Sequence, residues 1–192
     1  MILRGVTPAD WLVVGLGNPG VRYERTPHNV GFQVARALAE RWDLGRPRDK
    51  FRGQLYEGRA GVGGPRVAIL LPQTFMNDSG ESAGPARGQL KTPLERVLVL
   101  HDEIDLPFGE IRSRLGGGLA GHNGLKSLKR GFGDPAFGRV RIGVGRPDST
   151  DPEIVSAHVL GAWRQSADEV GELVDDAVRT AEAIVLGERE LS

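Results

Sequence analysis

The chain contains no cysteine. That excludes a disulfide framework and thiolate chemistry, and it fits a reducing compartment. Long apolar runs are missing as well: none approaches the ~20 residues needed to cross a bilayer. The opening Met1-Ile2-Leu3-Arg4-Gly5 lacks the apolar segment of a signal peptide. The expectation is a soluble, cytoplasmic protein with no membrane partner. Net charge is also absent, with 25 Lys+Arg against 25 Asp+Glu, which argues against a strongly basic nucleic-acid binder. A length of 192 residues is most simply one domain with a substantial core, residues 1–10 forming an N-terminal extension. No internal repeat or low-complexity segment divides it.

The zero balance hides an uneven distribution. Between 110 and 147 lie Arg112, Arg114, Lys126, Lys129, Arg130, Arg139, Arg141 and Arg146, against Glu110 and Asp134 alone. From 151 onward ten acids oppose Arg164, Arg179 and Arg189. A basic segment beside an acidic tail suggests one face for a polyanion and another for water. Solvated surface charge explains the same pattern equally well.

The richest stretch runs from Leu12 to Gly31. Leu12-Val13-Val14 reads as a short strand ending in Gly15-Leu16-Gly17-Asn18-Pro19-Gly20, and Val30, Val34, Leu38 and Trp42 mark one face of a following helix. His28 and Asn29 open that helix, with Asn29 suited to cap it. Gly15-x-Gly17-x-x-Gly20 also matches a dinucleotide fingerprint, but that motif needs its third glycine inside the helix. Here Pro19-Gly20 is a turn, and Pro27 disfavours helical geometry at Thr26.

Further along, Arg46 to Lys50 reads as a polar linker, and Gln54 to Arg59 and Val67 to Leu71 as strands. Ser79 could cap a helix from Gly80, which Pro85 would kink or delay. Val97-Leu98-Val99-Leu100 is the continuous apolar run of a strand buried on both faces, ending in His101-Asp102-Glu103. Glu110 to Leu115 and Val140 to Val144 are further strands. The glycine loop from Gly116 to Gly124 opens into a helix from Leu125 to Lys129. It lacks the Gly-Lys-Ser/Thr ending of a nucleotide P-loop, and its glycine content suggests a lid. Val170, Leu173, Val174, Ala177, Val178, Ala181, Ile184 and Val185 make the core stripe of a last helix. Strands alternating with helices give an α/β domain.

Four polar clusters fall at strand ends or helix starts: Asn18, His28, the pair Asn77 and Asp102, and His122-Asn123. Strand ends are where open α/β sheets bind ligands. Together Gly15 to Gly20, Tyr23 to Asn29, Phe75-Met76-Asn77, His101 to Pro107 and Gly116 to Lys126 resemble, in one order, bacterial peptidyl-tRNA hydrolase. The resemblance runs from about Leu12 to Gly161 and implies a single three-layer α/β/α domain around a twisted mixed sheet. It also implies hydrolysis of the ester joining a peptide to the 3′-terminal ribose of tRNA, without metal or organic cofactor, by a monomer. By that resemblance His28 is the catalytic base, Asp102 its supporting carboxylate and Asn18 a catalytic amide. Tyr23, Phe75, Met76, Asn77, His122 and Asn123 would contact substrate.

The chemistry suits these residue types. An ester needs an attacking water, a base for its proton and donors for the developing oxyanion. Histidine titrates near neutrality, a neighbouring aspartate would raise its pKa, and an asparagine amide donates without titrating. Arg112, Arg114, Lys126, Lys129 and Arg141 are the candidates to meet tRNA phosphates.

Duller readings exist for several of these groups. By local sequence Asn77 and Asn123 are turn caps, Tyr23 and Phe75 are packing residues, and His101 is a buried imidazole. One departure is Pro27, which stands where the family commonly carries a basic residue. The acidic tail after Gly161 matches only in being helical. Two rivals compete with the hydrolase: an RNA-splicing binding module like related plastid proteins, and a general esterase. The second is disfavoured by the absence of a Gly-x-Ser-x-Gly elbow.

Overall fold

The computed structural model describes residues 5–192, so the first four residues of the expected N-terminal extension lie outside it. Seven strands form one sheet in the order β2-β3-β4-β1-β5-β7-β6. These are β1 (Trp11–Gly15), β2 (Arg48–Lys50), β3 (Gly53–Arg59), β4 (Arg66–Pro72), β5 (Val97–Glu103), β6 (Ile111–Leu115) and β7 (Gly138–Gly143). The four central strands β4, β1, β5 and β7 run parallel, while β2, β3 and β6 pair antiparallel at the flanks. The sheet is mixed.

Side-chain alternation builds both cores. Val13, Leu98 and Leu100 join one hydrophobic cluster, whereas Leu12, Val14, Val97 and Val99 join the other. A run that is apolar at every position thus feeds two faces at once. The first face is covered by α1 (Val30–Arg41) and α5 (Ala167–Val185), the second by α2 (Ser79–Leu90) and α3 (Asn123–Phe132). Two helical layers enclose the sheet.

The chain steps from β1 outward to β4, then crosses back over β1 to β5, with α1 and α2 on opposite faces. Right-handed crossovers in opposite directions require that arrangement. The ends of β1 and β5 therefore diverge around a crevice, where open α/β sheets bind ligands. Gly31 closes the join: a Cβ there would run into the Leu100 carbonyl and approach Leu16 N to 2.6 Å. Only glycine lets the start of α1 sit directly on the two strand ends.

Several local expectations need correction. The polar linker contains β2, whose three residues pair with β3. Its charged side chains carry no apolar alternation, so only pairing reveals it. The second helix starts at Ser79 itself, and the Ser79 hydroxyl donates to the Met76 carbonyl rather than capping. Pro85 lies inside α2 without delaying it, on the exposed side where water can serve the carbonyl it leaves unpaired. One helix has no counterpart among the sequence expectations: α4 (Pro152–Leu160), capped by Asp151, whose carboxylate accepts from Glu153 N. Aspartate followed by proline at the first helical position was its available signal.

Candidate active site

His28 sits on a 3-10 turn, Pro27–Asn29, that leads into α1. Pro27 occupies the first position of that turn, and Thr26 before it is extended at φ −112° and ψ 152°, as the residue preceding a proline should be. Asp102 belongs to β5, which is buried along its whole length. It shares the parity of Leu98 and Leu100, so it faces the α1 layer and meets His28.

The hydrogen bonds around Asp102 fix the protons. His28 Nδ1 lies 2.9 Å from Asp102 Oδ2, and His122 Nε2 lies 2.8 Å from Oδ1. Burial opposes the charge on Asp102, yet the two imidazoles outweigh it and hold the carboxyl well below the usual carboxylate range. An ionised carboxylate only accepts, so each imidazole donates to it. His28 Nε2 is therefore the nitrogen left with a lone pair. For His28 itself, burial works against protonation, but the charge of Asp102 and its hydrogen bond prevail and raise the pKa above the ordinary 6.5.

His122 is locked at both ends. Its Nδ1 accepts from Gly124 N at 3.0 Å and from Leu125 N at 3.3 Å, capping α3, while Nε2 donates to Asp102. The same side chain caps the start of a helix and orients the central carboxylate. His101 lies behind this pair, its ring edge-on to His122 with centroids 5.3 Å apart. It is buried, with Nδ1 donating to the Asp102 carbonyl and Nε2 without a partner. Burial, aided by His122, pushes its pKa down to about 3.

On the other side of the crevice stands Asn18. Its backbone N–H donates to Asn29 Oδ1 and its carbonyl accepts from Asn29 Nδ2, both at 2.9 Å. Asn29 occupies the capping position of α1 but makes no cap bond. It is spent on holding Asn18, a role that its place in the sequence does not reveal. The Asn18 side-chain oxygen accepts from Met76 N at 2.7 Å, so its Nδ2 amide is the group Asn18 can offer to a ligand.

These groups line a cleft of about 580 Å³. Asn18, His28, Phe75, Met76, Asn77, Asp102, His122 and Asn123 all border it, with Glu103 and Ile104 beside them. The opposite wall is α4, through Pro152, Val155, Ser156, Val159 and Leu160, none of which was anticipated. Neither Asn77 nor Asn123 caps a helix: the capping positions belong to Asp78 and His122. Tyr23 is not among the lining residues. Its turn, Val21–Tyr23, places the ring against the Arg22 guanidinium at 5.4 Å. One ring nitrogen each of His28 and His122 and an Asp102 oxygen also lie within 4.8 Å of one another, close enough for a metal ion. A metal there would have to displace both imidazole protons that now bind the carboxylate.

A peptidyl-tRNA hydrolase profile matches residues 12–191. The chain belongs to the peptidyl-tRNA hydrolase family. It is 44% identical to the peptidyl-tRNA hydrolase of Halalkalibacterium halodurans over 90% of this chain and 91% of that one. Identity to the Geobacillus kaustophilus peptidyl-tRNA hydrolase is 46%, covering 90% and 89%. The crystal structure of the Acinetobacter baumannii peptidyl-tRNA hydrolase superposes with a TM-score of 0.83 at 38% identity, covering 96% of this chain and 93% of that one. The α/β fold and membership of this hydrolase family agree with the sequence reading.

The expected phosphate contacts separate into two groups. Arg112 is paired with Glu110 and Arg141 with Glu103, each partly neutralised. Arg114, Lys126 and Lys129 are exposed and, among the described residues, form no ion pair. Arg139, counted with the basic segment by sequence, is 1% exposed and cannot meet a polyanion.

Proposed function

We propose that this chain hydrolyses the ester between a peptide and the 3′-terminal ribose of tRNA, with His28 as general base. The observation that carries the reading is the proton arrangement at Asp102: two donated hydrogen bonds leave His28 Nε2 as an unprotonated acceptor bordering the cleft. Water held at Nε2 gives up its proton as its oxygen attacks the ester carbonyl. The Asn18 amide donates to the developing oxyanion, and Asp102 stabilises the imidazolium formed. The proton then passes to the departing ribose oxygen, freeing tRNA and peptide. No step requires a metal or organic cofactor.

Asn77 and Asn123, exposed on the cleft, offer amide donors and acceptors to the peptide backbone. Phe75, 60% exposed, gives an apolar face to a side chain or base. Arg114, Lys126 and Lys129 meet phosphates without reading sequence, which suits an enzyme serving many tRNAs. The reading extends to a cytoplasmic monomer of one domain, since peptidyl-tRNA arises where translation occurs. No helix among the described residues is long and apolar enough to cross a membrane.

The test is release of free tRNA from an N-blocked aminoacyl-tRNA, with a free-amine aminoacyl-tRNA as control. The wild type should cleave the first and spare the second. His28→Ala should lose about 10²–10⁴-fold in turnover, the usual contribution of a positioned base, while keeping its unfolding transition. A folded His28→Ala variant with near-normal turnover would remove the histidine from the mechanism. A wild type that binds tRNA without cleaving would point to the binding-module alternative.

A further inference from the structure

Arg139 is the largest of the fully buried side chains. Burying a guanidinium is costly unless its charge is paired, and here its hydrogen-bond partners are not carboxylates. Nη1 donates to the Gly118 carbonyl, and Nη2 to the carbonyls of Gly117 and Pro135, each at 3.1 Å. The Phe137 ring lies 4.7 Å from its central carbon. The nearby carboxylate of Glu103 is bonded to Arg141 instead. Burial, with Arg114 and Arg141 adding to it, lowers the Arg139 pKa to about 10, so the group is still cationic at neutral pH.

Those three carbonyls come from two different connections. Pro135 lies between α3 and β7, while Gly117 and Gly118 lie in the glycine loop between β6 and α3. One planar fork thus braces two loops. The glycine loop needs a brace: Gly116, Gly117, Ala120 and Gly121 have φ of 69°, 102°, 49° and 70°, and it forms no strand or helix. Glycine adopts left-handed backbone without strain but leaves the unfolded loop many alternatives, so one conformation must be selected by its surroundings; Ala120 alone is strained there. Downstream, the same loop supplies Ala120, Gly121 and His122 to the cleft wall and leads directly into Asn123, the first residue of α3.

We propose that Arg139 is a positioning residue for the reaction, holding the glycine loop at Gly117 and Gly118 so that Asn123 is presented to substrate. The inference rests on the hydrolase reading given above.

The experiment pairs steady-state kinetics on an N-blocked aminoacyl-tRNA with hydrogen exchange over residues 116–121, using β5 as internal reference. Arg139→Met should raise KM about tenfold, the scale expected when a substrate-positioning group drifts by a fraction of an ångström. The acid limb of the kcat profile should stay in place, because His28 and Asp102 are untouched. Exchange over 116–121 should quicken while β5 remains protected, and Arg139→Lys should recover part of both effects. Arg139→Gln, which keeps amide donors for the loop carbonyls but loses the fork, should raise KM in the same direction and serves if Arg139→Met does not fold. Wild-type KM and loop exchange in the folded variants would overturn the proposal. So would equal loss of protection in β5 and the loop, which would make Arg139 a plain core residue. An inactive wild type would sink the hydrolase reading instead, leaving the exchange result to judge the brace.

Discussion

At the scale of single residues the site is a problem in proton bookkeeping around one carboxylate. Asp102 receives two imidazole hydrogens, and that alone decides which nitrogen of His28 faces the cleft. Two of its neighbours titrate in opposite senses. His28 has a raised pKa, so its contribution to stability is present below pH ~6.5 and is lost as pH rises through its folded value. His101 has a pKa lowered to about 3. Between that value and ~6.5 the unfolded chain binds a proton that the folded one refuses, so stability falls as pH falls through this window. Replacing His101 by Asn should flatten the loss of stability between pH 6 and 4. One refused proton contributes a slope of at most about 1.4 kcal/mol per pH unit. Denaturant unfolding across that range measures it, and an unchanged slope would mean that His101 is not the refusing group. Residue types were the most legible part of the sequence. His28, Asp102, Asn18, Asn77 and Asn123 border one cleft, whereas Asn29 reads as a cap because nothing local shows that it will be used on Asn18.

At the scale of elements, the decisive contact is the seat of α1 on the ends of β1 and β5. Gly31→Ala would place a methyl group against backbone that cannot swing aside. Overpacking of this kind costs typically about 1–3 kcal/mol, and here the displaced segment carries His28 three residues upstream. The denaturation midpoint and kcat/KM should therefore fall together. Stability lost with full kcat/KM would show that the helix seat does not aim the histidine. Strands with apolar alternation and helices with a stripe were readable because burial leaves a period in the sequence. β2 and α4 were not: three charged residues carry no period, and α4 has a single buried residue, Val159. Its partner is the cleft, so five of the seventeen residues lining the site lie on an element invisible to a search for core faces.

For the molecule as a whole, the uneven charge seen in the sequence becomes a separation in space. α3 carries Lys126, Lys129 and Arg130 with no acid, and it covers one face of the sheet. α5 carries Asp168, Glu169, Glu172, Asp175, Asp176 and Glu182 against Arg179 alone, and it covers the other. Glu182 is further tied to Arg41 at the end of α1 and to Trp42 just beyond it. The acidic helix therefore lies behind the sheet from the basic one and does not oppose an RNA on the α3 side. Arg114→Glu and Lys126→Glu should each weaken tRNA binding and reduce the slope of log affinity against log salt by about one. Unchanged affinity and slope would move the RNA to another surface. Net charge concealed this arrangement, and only the assignment of each helix to a face exposed it.

The most direct measurement is the pH dependence of kcat/KM for tRNA release by the wild type and by Asp102→Asn. With the carboxylate present, the acid limb should lie above pH 6.5, where His28 loses its proton. Asp102→Asn removes the charge that outweighs burial, so the limb should move to lower pH while the plateau drops steeply. A limb that stays in place in the variant would contradict the account: the ionisation that governs catalysis would not be that of His28 under the influence of Asp102.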